Sequence, residues 1–421
     1  FDPTPISVGG SQQVVITNTT GSQKGRLTVN VSAGGNNQIR IQLNGKDIGT
    51  LNVRILDYCK AGQDSGTYLL DNLKVDGGKD TITIQNVSGE TARLDYVSMA
   101  WEKAIPLSPL SGKHPTATYV KNITNQDLHA DGQADLVIIV PSSGALLKQA
   151  QRLKEFHESH DGMRVNIVAA DQLYNEFSSG TPDANAYRRY LRMLQDRAAT
   201  EADMPKYLLL FGDCVWDNRM LTADCKRFDP DDYLLVYESE NSFSETTCYA
   251  GDSWMGILAE GAGSDARREL QDVGVGRFPV TTVAEAKIMV DKTINYSKNQ
   301  NGGAWQNTIM FMGDDGNDNI HMKDVDSVAN SVGRDYPNFL IKKVMWDAYT
   351  RESSATGNTY PEVSKIIRQQ QANGALVMDY GGHGSATLIS HESVLGLSDF
   401  SESRTSNLPL WVTAACDIMA F

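Results

Sequence analysis

Apolar and polar residues alternate with a period of two through the first quarter of the chain, in QQVVITNT (12–19), GRLTVNVSA (25–33), QIRIQLNG (38–45), DTITIQNV (80–87) and LDYVSMAWE (94–102). Gly, Asn and Asp break the segments, including the Asn44-Gly45 pair, a strong hairpin signal. Half-buried strands with frequent turns predict a β-sandwich or jelly roll over residues 1–104. AIPLSPLSGKHPTATY (104–119) then gathers three prolines with Ser, Gly and Lys, and reads as a linker over 105–119.

Beyond it the period changes. DLVIIV (135–140), RVNIVAA (164–170), KYLLLFG (206–212), NTIMFMG (307–313) and ALVMDYG (375–381) are continuous apolar runs, the pattern of strands covered on both faces. Amphipathic stretches lie between them: ALLKQAQRLKEFHESH, ANAYRRYLRMLQDRA, TVAEAKIMVDKTINYSK, HMKDVDSVANSVGRDY and PEVSKIIRQQQANG. The expected fold is therefore multidomain: an N-terminal β-sandwich, then an α/β region with a mainly parallel sheet and helices on both faces. Two subdomains are expected, 120–300 and 301–421, divided near NQNGGAW, with an irregular excursion at 217–240.

In open α/β sheets functional groups collect beyond the carboxyl ends of the strands. Three such loops carry reactive residue types: MGDDGND (312–318), YGGHGSA (380–386) and AACD (414–417). If their strands are neighbours, His383, Cys416 and either Asp314 or Asp315 converge. A thiol is mostly protonated at neutral pH, so a nucleophilic Cys416 needs a base such as His383 to take its proton. The glycines around His383 allow a sharp turn, and the amides of Gly384 and Cys416 are candidate donors to an oxyanion.

Other residues compete for attention. Cys214 follows a predicted strand but has Asp213 and Asp217 beside it, and negative charge opposes thiolate formation; it ranks second as a nucleophile. His391 and Glu392 lie in SHESVLG, which reads as a helix start capped by Ser390, with Glu392 as a fallback partner for His383. GDDGNDN and FDPDD offer oxygen ligands suited to calcium, although both also suit tight turns, and no metal is required by the dyad chemistry. Trp216, Trp254, Trp305 and Trp346 are expected mostly in packing roles.

The 52 acidic side chains exceed the 38 basic ones, for a formal net charge of -14, which disfavours nucleic acid as a partner. Five cysteines without a Cys-x-x-Cys pair argue against a disulfide scaffold or zinc site, although Cys225 or Cys248 could pair with Cys214. No apolar run is long enough to cross a bilayer, and FDPTPISVGG lacks the features of a secretory leader, so the expectation is that either no leader exists or it has been removed.

LVMDYGGHGSAT and LPLWVTAACD resemble the His and Cys motifs of the gingipain family of cysteine peptidases, which share a caspase-like fold. YLLLFGDCVWDNR, VGVGRFPV before EAKIMVDKTINY, and MFMGDDGNDN extend the resemblance over about 115–421. Within that family the set is most similar to the PorU-type sortases of the type IX secretion system. The resemblance implies Cys416 as nucleophile, His383 as general base and then acid, and Asp314 as the acidic group, where gingipains carry Glu. It implies a cysteine endopeptidase, by hydrolysis or transpeptidation, that removes C-terminal signal domains from secreted cargo and transfers the cargo to a lipopolysaccharide. Outer-membrane secretion components are implied partners, the location is secreted or cell-surface, and calcium is a possible ligand. A basic residue before the scissile bond would need an acidic pocket group, for which Asp318 is the candidate. A secreted gingipain-like endopeptidase and an inactive surface-binding scaffold are the alternatives. Family members continue past the catalytic Cys, so the resemblance also implies further chain beyond Phe421, without which activity is uncertain.

Overall fold

The computed structural model describes residues 4–56, 59–102, 119, 122–123, 125–239, 242–244, 247–264, 268–355 and 357–418. The linker expected at 105–119 lies, apart from Tyr119, outside them. The chain separates into two compact units, one of residues 1–126 with 237–251, the other of 127–236 with 252–421.

The first unit is built from strands β1 (Pro5–Ile6), β2 (Ser11–Asn18), β3 (Gly25–Ala33), β4 (Asn37–Leu43), β5 (Lys46–Val53), β6 (Gly62–Leu70), β7 (Gly78–Ser88) and β8 (Ala92–Trp101). They form two four-stranded antiparallel sheets, ordered β1-β8-β3-β6 and β2-β7-β4-β5. The alternation is visible in β3, whose Leu27, Val29 and Val31 are fully buried while the residues between them are not. Facing them, Ile39, Ile41, Ile82 and Ile84 complete a sandwich core. Asn44 and Gly45 both have positive φ, at 50° and 82°, the two-residue turn whose twist suits the β4–β5 hairpin. A short hairpin, β12 (Tyr237–Glu238) with β13 (Ala250–Gly251), belongs to this unit, where the Lys60 N–H donates to Phe243 O at 2.9 Å.

The second unit holds two parallel sheets. The first contains β9 (Leu136–Val140), β10 (Val165–Ala169), β11 (Tyr207–Phe211) and β14 (Gly274–Phe278), in the order β10-β9-β11-β14. Helices α1 (Leu147–His160), α2 (Ala170–Phe177), α3 (Asn185–Arg197) and α4 (Val283–Ser297) connect and flank it. Leu153 of α1 and Val290 of α4 pack with Leu136, Ile138 and Val140 on one face. Helix α4 starts at a reciprocal cap: Thr282 Oγ1 accepts from the Glu285 N–H at 3.2 Å, and Glu285 Oε2 accepts from the Thr282 N–H at 3.0 Å. At the amino end of the sheet the nearly buried Asp135 accepts from Arg164 Nε and Lys206 Nζ, both at 3.0 Å, joining the starts of three strands. Those bonds, led by the one from Arg164, hold its carboxyl well below the usual carboxylate range against the opposing effect of burial.

The second parallel sheet contains β15 (Thr308–Gly313), β16 (Leu340–Met345), β19 (Val377–Gly381) and β22 (Leu410–Ala414), in the order β16-β15-β19-β22. Two hairpins accompany it, β17 (Glu352–Ser354) with β18 (Gly357–Thr359), and β20 (Leu388–Ile389) with β21 (Leu395–Gly396). Helices α5 (Gly316–Asp335) and α6 (Pro361–Asn373) cover opposite faces: Val325 and Ala329 pack with Ile309 and Phe311, while Val363 and Ile367 pack with Met310 and Met312. The short α7 (Leu397–Ser401) follows β21. All six residues of β15 are buried, as a strand covered on both sides requires.

The helix expected to begin at SHESVLG is instead the turn between β20 and β21. Ser390 and Ser393 adopt positive φ, 63° and 51°, which ends any helical path there, and the Ser390 hydroxyl accepts from the Glu392 N–H at 3.2 Å within the turn. No disulfide joins Cys214 to Cys225 or Cys248.

Ile84→Ala should destabilise the sandwich unit by about 2–5 kcal/mol, because the side chain is wholly buried and its removal leaves a cavity. Denaturant titration checks this, and a loss below about 1 kcal/mol would mean that the core closes around the deletion.

Candidate active site

The register of the second parallel sheet sets the site. Gly313 pairs with Gly381, and Gly381 pairs with Ala414, so β15, β19 and β22 end level with one another. The loops carrying Asp314, His383 and Cys416 therefore emerge at one rim, and Cys416 is exposed there. The Gly382 N–H donates to Ala414 O at 3.1 Å, joining the His loop to the Cys strand. A β-carbon on Gly384 would stand 2.7 Å from the Cys416 carbonyl oxygen and 2.7 Å from Ile418 Cγ1, so glycine is what lets the two loops touch.

Asp314 is 1% exposed, and both carboxylate oxygens are used. Oδ2 accepts from the His383 N–H at 2.6 Å, and Oδ1 accepts from the Gly316 N–H at 3.2 Å and lies 2.5 Å from His321 Nδ1. The Tyr380 hydroxyl stands 2.7 Å from His383 O and 3.1 Å from Asp314 Oδ2, one proton between two acceptors. Burial pushes the Asp314 carboxyl up, but the bonds from His383, His321, Gly316 and Tyr380 outweigh it and keep the group below its ordinary range. Tyr380 is held the other way: burial, then the neighbouring Asp314 charge, raise its pKa and keep it a donor.

Asp314 thus grips the main chain of His383, not its imidazole. The ring is bounded by other rings. His391 stacks on it with centroids 4.1 Å apart and planes 10° from parallel, and His321 meets it edge-on at 4.9 Å and 83°. His321 is fixed in turn by Asp314, 2.5 Å from its Nδ1, and by Asn317 Nδ2, 3.2 Å from its Nε2. A β-carbon on Gly316 would lie 2.5 Å from His383 Cδ2, so that glycine makes room for the ring.

The candidate oxyanion donors follow from the hairpin after His383. Gly384 bridges Ile389, with the Ser390 N–H donating to His383 O at 2.9 Å and the Ser385 N–H to Leu388 O at 3.0 Å. In that pattern the Gly384 N–H takes no part in the pairing. Among the described residues neither it nor the Cys416 N–H has an intramolecular acceptor.

The remaining candidates fall elsewhere. Asp315 accepts from the Tyr360 hydroxyl at 2.7 Å. Asp318 is exposed in a left-handed turn, with Asn317, Asp318 and Asn319 all at positive φ. Glu392 is partly buried in the β20–β21 turn, with no bond to the His383 ring among the described residues. Cys214 is buried at the end of β11 in the other sheet, away from the rim that holds His383. Trp346 is fully buried, Trp254 carries the Arg188 guanidinium 4.3 Å above its ring, and Trp216 is exposed. In GDDGNDN, Asp314 and Asp315 are committed to these protein donors. Among the described residues, donor atoms close enough to share an ion occur at Asp127, His129 and Glu176, where the Glu176 carboxylate already accepts from the Leu128 and His129 amides. His321 was missed by the sequence reading; its cue is a spacing of seven residues from Asp314, across a turn and the start of a helix.

Beside the His and Cys loops lies a cavity of about 320 Å³, lined by Ser385, Leu388, Leu395, Phe400, Trp411 and Ile418 among others, none of them charged. Asp318 is not among its walls.

The sequence profile of peptidase family C25 matches residues 129–421. The fold is similar to dimeric latent PorU from Porphyromonas gingivalis, at 22% identity over 72% of this chain and 36% of that one, with a TM-score of 0.54. The Arg specific cysteine proteinase gingipain R (RGPB) aligns at 18% identity over 69% of this chain and 56% of that one, with a TM-score of 0.45. The chain thus spans about a third of the first relative's length and just over half of the second's. No sequence match to a curated protein was found.

Because the folded Asp314 pKa lies below the ordinary value of 3.8, its contribution to the His loop is complete above 3.8 and is lost as pH falls through the lower folded value. Amide hydrogen exchange at His383 should accelerate only below that pH. In Asp314→Asn it should already be fast at neutral pH, and equal protection in the two proteins would remove the carboxylate from this role.

Proposed function

We propose, because the chain belongs to peptidase family C25, that Cys416 and His383 form its catalytic dyad and that the protein is a cysteine endopeptidase acting as a type IX secretion sortase. The observation carrying this reading is the level ending of β19 and β22, which sets an exposed Cys416 beside the loop of His383. In the proposed reaction His383 takes the thiol proton and the Cys416 sulfur attacks a backbone carbonyl. The oxyanion so formed is met by the amides of Gly384 and Cys416. The imidazolium then protonates the leaving amine, and a C–N bond breaks to give the acyl-enzyme. Water, activated by His383, completes hydrolysis; an amine acceptor would instead complete transpeptidation. The nucleophile, the base and the oxyanion donors all belong to the protein, and the scheme requires no cofactor.

The sortase assignment rests on the sequence motifs, and one structural feature favours it over an arginine- or lysine-directed peptidase. The cavity adjoining both loops has no acidic wall to receive a cationic side chain. The proposed substrates are exported proteins with C-terminal signal domains, met at the outer-membrane surface, and the proposed acceptor is a lipopolysaccharide amine. No helix among the described residues is long and apolar enough to cross a membrane.

Iodoacetamide labelling near neutral pH tests the dyad. Cys416 should react at least about tenfold faster than an ordinary exposed thiol, and His383→Ala should abolish the difference. Equal rates would favour the binding-scaffold alternative. For the substrate, the full-length protein should trim a cargo carrying its C-terminal signal and should cleave basic sites no better than uncharged ones. Cleavage confined to Arg or Lys sites would replace the sortase with a gingipain-like endopeptidase.

A further inference from the structure

We infer that His391 is a positioning residue, holding the His383 imidazole in its working orientation by stacking. This rests on the proposed role of His383 as base. A catalytic histidine is usually oriented by a third group bonded to its second ring nitrogen. Here the acidic group nearest in position does something else, since the Asp314 carboxylate is spent on the His383 main chain, Gly316 and His321. Among the described residues no hydrogen bond reaches either ring nitrogen of His383. The main chain is fixed by three bonds, from its N–H to Asp314 and to its carbonyl from Tyr380 and Ser390, but these leave the side-chain torsions open.

The ring planes supply the missing constraint. His391 lies nearly parallel to His383 at 4.1 Å, covering one face. Its own position is tied to the same residue. Ser390, adjacent in sequence and 4% exposed, donates its N–H to His383 O, and its left-handed φ of 63° turns the chain so that His391 follows alongside. His321, locked by Asp314 and Asn317, abuts the ring edge-on, and Gly316 closes on the Cδ2 side. Rotation of the His383 ring would break the stack and drive it against Gly316 or His321. His321 and Asp314 also hold each other, whereas among the described residues the ring contact of His391 is with His383.

Stacking needs a flat ring, not a titrating one, and this separates positioning from proton transfer. Wild type, His391→Ala, His391→Phe and His383→Ala are compared in the full-length protein by the rate of Cys416 alkylation with iodoacetamide, located by peptide mass spectrometry. His391→Ala should slow alkylation between about 2- and 10-fold, the span of a stacked pair's interaction, and His391→Phe should restore most of the loss. The His383 ring-proton resonances give a readout independent of reactivity. The ring current of the stacked neighbour shifts them upfield in wild type and in His391→Phe, and they should move downfield in His391→Ala. An alkylation rate in His391→Ala equal to wild type, or a loss in His391→Phe as large as in His391→Ala, overturns the inference; the second outcome would give His391 a proton-transfer role. If His383→Ala leaves the rate unchanged, the dyad itself fails, a result separable from failure of the stack.

Discussion

One buried carboxylate ties the strand register to the chemistry. Asp314 follows β15 directly, and its Oδ2 accepts the amide of His383, which follows β19. A charge this deeply buried costs heavily unless its oxygens are saturated, and here two backbone amides, an imidazole and a phenol surround it. The donors come from three places: the amino-terminal part of α5 supplies Gly316 and His321, the end of β19 supplies Tyr380, and the loop beyond it supplies His383. The Asp314 charge can be accommodated only when all of these are in place, so a local electrostatic requirement enforces the geometry of the rim. The carboxylate fixes where the His383 backbone is and leaves the ring to be oriented by other contacts.

The two parallel sheets share a strand order. Numbered along the chain within each sheet, both run second, first, third, fourth, so each has its switch in connection direction between the first and third strands. In the second sheet the loops leaving the first, third and fourth strands open with Asp314, Gly382 and Ala415, and the reactive groups lie within two residues of these. In the first sheet the corresponding loops open with Pro141, Gly212 and Pro279. Cys214 stands three residues past the end of β11, one further along than His383 stands past β19, and it is buried. Nearby, the Arg277 guanidinium pairs with Asp252 and donates to Gly212 O at 2.9 Å. That loop is braced by a salt bridge and a backbone contact, with no thiol offered to solvent. Equal topology has produced a reactive rim in one sheet and a structural one in the other.

What could be read from the sequence divides along the same physical line. Strands buried on both faces, such as β9, β11, β15 and β19, show themselves as unbroken apolar runs, and the alternation of β3 announces a sandwich. Neither β14, with glycines at 274 and 276, nor β16, with Lys342 and Lys343 in its middle, shows that pattern, because edge strands need not be apolar throughout. His383 and Cys416 were legible because each stands just past a strand end among small residues. The histidine cluster was not. It depends on two left-handed turns, at 317–319 and at Ser390, that carry His321 and His391 onto the ring of His383. Ser390 followed by Glu392 matches the chemistry of a helix cap, and only the backbone sign at Ser390 distinguishes that from the turn observed.

That turn links the two halves of the proposed mechanism. The β20–β21 hairpin pairs back on residues 383–385 through Ser390 and Ser385, and the alternation of antiparallel bonding leaves Gly384 between them with its N–H directed away from the hairpin. The same register therefore frees a donor beside Cys416 and delivers His391 onto the base. A one-residue slip would reverse both: the Gly384 amide would enter the ladder, and the residue following Ser390 would no longer lie beside His383. The positive φ of Ser390 and its buried hydroxyl, bonded to the Glu392 amide, make such a slip costly. The five-residue connection 390–394, seated against His383 itself, thus helps fix the alignment of base and oxyanion donor.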